Sequence, residues 1–143
     1  FIEKHKGILL KEIVKTLTVS TQDIERWNAI KVAGHLITYD NILFKQDFEA
    51  YIVKLKQIIE ERIQQMDETW VKFTIAQYAL YSLYHETHHE IHHRVIPFFQ
   101  KWLIKSLKNS SNEGKHLATI CFTSMVHLVA SFPTPSYKIT WFH

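Results

Sequence analysis

Cysteine, glycine and proline are almost missing from this chain: its 143 residues hold one cysteine, three glycines and three prolines. The single Cys121 excludes an internal disulfide framework and a cysteine-based zinc finger. It fits a reducing, cytoplasmic compartment. So little glycine and proline leaves too few turn signals for an all-β sandwich. Charge of one sign is lacking as well. The formal net charge is only +3, and the lysines are scattered among acids. No basic stripe for nucleic acid results. The opening residues FIEKHKGILL hold no long apolar core followed by a small-residue cleavage site, so no signal peptide is expected. The longest apolar stretch, residues 116–132, is short for a membrane span and carries two histidines. It is expected to be a buried helix and not a membrane contact. With 46% hydrophobic residues, the chain suits one globular domain over 1–143.

Apolar spacing then divides the chain into helices. Ile8, Leu9, Ile13, Val14 and Leu17 recur at helical intervals in residues 2–17. The β-branched, polar run from Thr18 to Thr21 reads as a break. Ser20 or Thr21 is placed to cap a second helix, with Asp23 and Glu25 in its first turn. That helix is expected to reach about Phe44, carrying Trp27, Ile30, Ala33 and Ile37 on one side and weakened by Gly34. Asp47 is expected to cap a third, whose stripe of Phe48, Ile52, Leu55, Ile59, Ile63 and Met66 is the cleanest in the chain. A break near 67–69 precedes a long helical segment, from Trp70 to about Lys108, that Pro97 kinks or breaks. Residues 108–115 form a polar loop. The last helix covers 116–132, Pro133 and Pro135 end it, and the tail reads as extended. The expectation is an all-α bundle of four or five helices.

Five of the ten histidines lie within nine residues: His85, His88, His89, His92 and His93. H-E-x-x-H occurs twice, from His85 to His89 and from His89 to His93. On a helix, residues i and i+4 stand one above the other, so the pairs His85/His89, His88/His92 and His89/His93 can each offer two imidazoles to one ion. Imidazole suits zinc, nickel, copper and iron. At about 100° per residue the five span an arc of roughly 140° that overlaps the apolar face. His85, His88 and His92 lie deepest in it, Glu86 and Glu90 fall at its edge, and Arg94 points away. Against a site stands the plain alternative of a histidine-rich, partly exposed helix face.

A third ligand has to come from elsewhere. The segment Trp27-NAIKVAGHLITYD-Asn41, with its W…HL pattern, and the run HEIHHR ending at Arg94 resemble the DinB/YfiT-like family over residues 20–105. That resemblance implies a helical bundle holding a divalent metal through His35, His89 and His93. It also implies a small-molecule or thiol substrate, since better-understood members are metal-dependent thiol transferases or thiol-linked isomerases. On the helical wheel, His35 sits away from the Ile30/Ile37 face.

Other readings stay open. H-E-x-x-H is also the zinc-peptidase arrangement, in which His89 and His93 bind zinc and Glu90 is the general base. Glu113, in Asn112-Glu113, resembles the downstream ligand of gluzincin peptidases. Glu86-x-x-His89 and Glu90-x-x-His93 match the unit of di-iron bundles, with Glu60 and Glu61 as further carboxylates. A non-enzymatic interaction protein would use Trp70, Phe98, Phe99 and Trp102 to bind partner helices or another subunit, such as a homodimer. The favoured expectation is zinc or nickel held by His89 and His93, with His35 as the third ligand that the resemblance implies and Glu90 or Glu86 orienting a ligand or moving a proton.

Overall fold

The computed structural model describes residues 2–39, 44–109 and 111–132. It is all-α, and among these residues there is no strand. In chain order come α1 (Ile2–Val19), α2 (Asp23–Thr38), a short 3-10 turn (Lys45–Phe48), α3 (Glu49–Gln64) and α4 (Glu68–His85). They are followed by the single turn α5 (His88–Glu90), a π turn (Ile91–Val95), α6 (Ile96–Lys108) and α7 (Asn112–Ser131). From α5 to α6 the chain continues as one helical segment, so the described residues form six helical segments where four or five helices were expected. The break expected at residues 18–21 falls slightly later, at 20–22, because α1 runs on through Thr18 and Val19, and it separates α1 from α2.

Local chemistry sets most of the ends. Asp67 caps α4, its carboxylate accepting from the Trp70 N–H at 3.3 Å. Ser111 caps α7 by accepting from the Gly114 N–H at 3.2 Å. α7 therefore starts within the stretch expected to be loop. α2 carries no side-chain cap at its N-cap residue, Gln22. Ser20 instead donates to the Glu25 carboxylate and accepts from the Gln22 N–H. α2 also ends at Thr38, leaving Phe44 outside it and exposed. Asp47 lies inside the 3-10 turn and accepts from the Phe44 N–H. Pro133, Pro135 and the tail lie outside the described residues.

The core runs through the whole assembly. α4 is central, packed on α2, α3 and α7, and α7 lies along α6. Leu55 and Ile59 of α3, Ile75 and Tyr78 of α4, Phe99 and Trp102 of α6 and Leu117 of α7 are fully or almost fully buried. The α3 stripe is buried as its spacing predicts, apart from the half-buried Met66. At the α2–α4 crossing, a Cβ on Gly34 would lie 2.5 Å from Gln77 Oε1, the far end of a flexible side chain that can swing aside. Among the described residues, no helix is long and apolar enough to cross a membrane.

Candidate metal centre

The histidine run does not lie on one helix. α4 stops at His85, and Glu86 has extended backbone (φ −102°, ψ 146°). Thr87 then starts a new helix with a capping box. Its hydroxyl accepts from the Glu90 N–H at 3.1 Å, and Glu90 Oε1 accepts from the Thr87 N–H at 3.0 Å. Each bond satisfies a donor that a helix start would otherwise leave open. The first H-E-x-x-H copy is therefore cut in two, and His85 and His89 cannot pair by helical spacing. The single-helix arc is corrected accordingly.

The π turn follows at once, with the Ile96 N–H bonding to the Ile91 carbonyl five residues back. Pro97 lies just beyond it. Proline has no N–H to donate, and its ring crowds the carbonyl four residues earlier, here that of His93. The wider turn accommodates that crowding while the segment stays helical. Pro97 neither breaks the helix nor ends it.

Each histidine has its own surroundings. His85 stacks on Tyr81, with ring centroids 5.3 Å apart, and tilts against Phe48 at 5.0 Å. Burial pushes its pKa down, against a backbone hydrogen bond with Ile37 that raises it. Its Nε2 is buried without a partner. His88 is exposed and meets the Phe132 ring edge-on. His92 Nε2 lies 2.6 Å from the Phe132 carbonyl oxygen, to which it donates. The expectation that His88 lies deep in the apolar face is overturned: Ile91 and Val95 fill that place. His89 and His93 are both exposed and side by side, ring centroids 4.3 Å apart at 34°. Of the i, i+4 pairs, this one has its two rings packed together at the surface.

Glu86 and Arg94 are also displaced from their expected positions. The Glu86 side chain is only 3% exposed. Arg94 does not point away; its Nη2 donates to both Glu86 oxygens, at 2.8 and 2.6 Å, and to Glu90 at 3.1 Å. Lys45 donates to Glu86 at 3.1 Å and also to Glu90. The Lys45 bond, then the Thr87 N–H and the charge of Arg94, hold the Glu90 carboxyl down at about 2. A carboxylate held that low is a weak base. Two carboxylates and two cations thus clamp the start of the histidine-bearing segment to the 3-10 turn before α3. Lys45 carried no sequence signal for this. The Thr87-x-x-Glu90 box was readable, as a Ser/Thr-x-x-Glu helix start.

The remaining expected residues lie apart. His35 is exposed on α2, as its place on the wheel predicts. Glu113 is exposed in the first turn of α7. Glu60 accepts from Lys101 at 2.9 Å and from the Trp102 indole at 3.4 Å, beside the middle of α6. Among the described residues, no three His, Cys, Asp or Glu side chains gather into a group that could hold a metal. Cys121 is buried, and its thiol is pushed up to about 11, mainly by burial. It is thus far from the thiolate that a metal requires. An open groove of about 900 Å³ lies between the C-terminal ends of α3 and α6, lined by Gln57, Glu60, Gln64, Lys105 and Lys108. The histidine pair is at the other end of the α5–α6 segment.

Comparison with protein-family models, curated proteins and solved structures finds no match for this chain.

Proposed function

We propose that this helical-bundle protein binds a divalent transition metal, zinc or nickel, through His89 and His93. The observation that carries the reading is the packed, exposed ring pair, 4.3 Å between centroids, on a helical segment fixed at its start. Two imidazoles one turn apart are a chelating pair for these ions. The Thr87–Glu90 box and the Lys45–Glu86–Arg94–Glu90 cluster serve this site by holding the segment that carries it. Glu90 acts here as a positioning residue, because its carboxylate is already engaged by two cations and a backbone N–H. The free coordination positions of the ion would take water or a thiol, the substrate class that the resemblance to the DinB/YfiT-like family implies.

The test is metal analysis of protein purified without a histidine tag, followed by titration with zinc. His89→Ala and His93→Ala are expected to lose most of the bound metal. His88→Ala and His35→Ala are expected to keep it. Equal metal content in the original protein and in His93→Ala would overturn the assignment.

A further inference from the structure

Lys56 on α3 is half-buried, and its ammonium lies over two aromatic rings, 4.0 Å from the Phe98 centroid and 5.6 Å from that of Tyr78. Phe98 comes from α6 and Tyr78 from α4, so three helices meet at the amine. Nearby cations are paired: Lys45 with Glu86 and Glu90, and Lys101 and Lys105 with Glu60. Among the described residues, Lys56 makes no ion pair with a carboxylate. The charge of Glu86 reaches it, but that carboxylate is already held by Lys45 and Arg94.

A lysine that only covers apolar surface carries its ammonium past that surface into water. Here the ammonium itself lies over the rings. A lysine becomes a nucleophile when it is desolvated in an apolar seat or set beside another cation, because each disfavours the ammonium and leaves the neutral amine. Lys56 meets both conditions. Burial first, and then the charge of Arg94, lower its pKa, against the opposing charge of Glu86. Ring faces attract an ammonium and work the other way, yet the net direction is down. The side chain keeps some contact with solvent, from which a small molecule can approach.

We infer that Lys56 is a reactive amine that condenses with aldehydes and ketones, with Phe98 as the apolar wall of the site. The neutral Nζ lone pair forms a bond to the carbonyl carbon. Both remaining N–H protons leave with the carbonyl oxygen as water, and a C=N imine remains. No oxidant or reductant takes part. The site does not use His89 or His93, so it stands apart from the metal reading.

Reductive trapping of the untagged full chain at about pH 7.5, well below the ordinary lysine range, tests this. Benzaldehyde, whose ring can lie against Phe98, is added at limiting concentration. Cyanoborohydride reduces any imine to a stable secondary amine, and peptide mass spectrometry reads the initial rate at each lysine. Lys56 is expected to react at least about fivefold faster than the exposed Lys72 and Lys115. Phe98→Glu offers Lys56 a carboxylate in place of the ring and is expected to bring its rate down to that of Lys72, with helical circular dichroism checking the fold. A Lys56 rate no higher than that of Lys72 and Lys115 in the original protein overturns the proposal. So does an unchanged Lys56 rate in folded Phe98→Glu protein.

Discussion

Glu86 shows how a side chain acquires a role from its surroundings. In the sequence it is the middle of a repeated motif; in the structure it is a buried carboxylate that receives Arg94 and Lys45. Removing one partner from such a cluster leaves the others under-compensated. Both cations keep some water contact, so Glu86→Ala is expected to cost about 2–3 kcal/mol, read by urea denaturation. His85 supports a prediction about acid. Burial depresses its folded pKa below the ordinary 6.5, so below about pH 6.5 the unfolded chain takes up a proton that the folded chain refuses. Stability contributed by the neutral ring is present above pH 6.5 and falls as the pH drops below it. His85→Phe keeps an aromatic ring against Tyr81 and Phe48. It is expected to lose less stability than the original protein between pH 7.5 and pH 5, measured by thermal unfolding. An equal loss in both would rule His85 out as a source of acid sensitivity.

Among the elements, the joints explain more than the helix interiors. Thr87 begins the segment that carries the histidines, and Thr87→Ala is expected to cost about 1 kcal/mol, the usual range for a lost N-cap. The α6–α7 corner depends on Gly114. A Cβ there would lie 2.2 Å from the Asn109 carbonyl oxygen and 2.6 Å from that of Ser106, both of them backbone. Gly114→Ala must push the two helices apart and is expected to lose about 2–3 kcal/mol, a typical overpacking cost. A gain in stability, as better helix propensity alone would give, would contradict this close approach. Met66 has a positive φ of 57°, and the Asp67 N–H closes back on Arg62. That left-handed residue ends α3 in the way a glycine usually does.

For the molecule as a whole, one core connects α4 to α2, α3 and α7, and α6 to α7. Trp102 sits in it without exposure, against Tyr78 and Phe99. Trp102→Ala is expected to lose about 3–5 kcal/mol, the usual cost of emptying such a site. Because the core is continuous, unfolding followed by circular dichroism and by tryptophan fluorescence should shift together. Separate transitions would indicate two cooperative units.

The sequence by itself determined the fold class and most of the helices. Spacing of apolar residues is a local, periodic property, and burying one face of each helix is what makes it stable. It therefore located the α3 stripe, the break after α1 and the exposed position of His35. It also offered His89 and His93 as one of three i, i+4 pairs, and the structure packs the rings of this one together across the start of the π turn. It did not determine where the helical register restarts. Helical spacing continues unbroken through Glu86 and Thr87, but both have extended backbone, and these two residues redirect every side chain that follows. Arg94 moved from the outside to the Glu86 cluster, and His85 was separated from His89. Only the tertiary structure decided which histidines meet and which acids are already taken. Those contacts depend on Lys45 and Phe132, some forty residues away in either direction, and no local pattern encodes them.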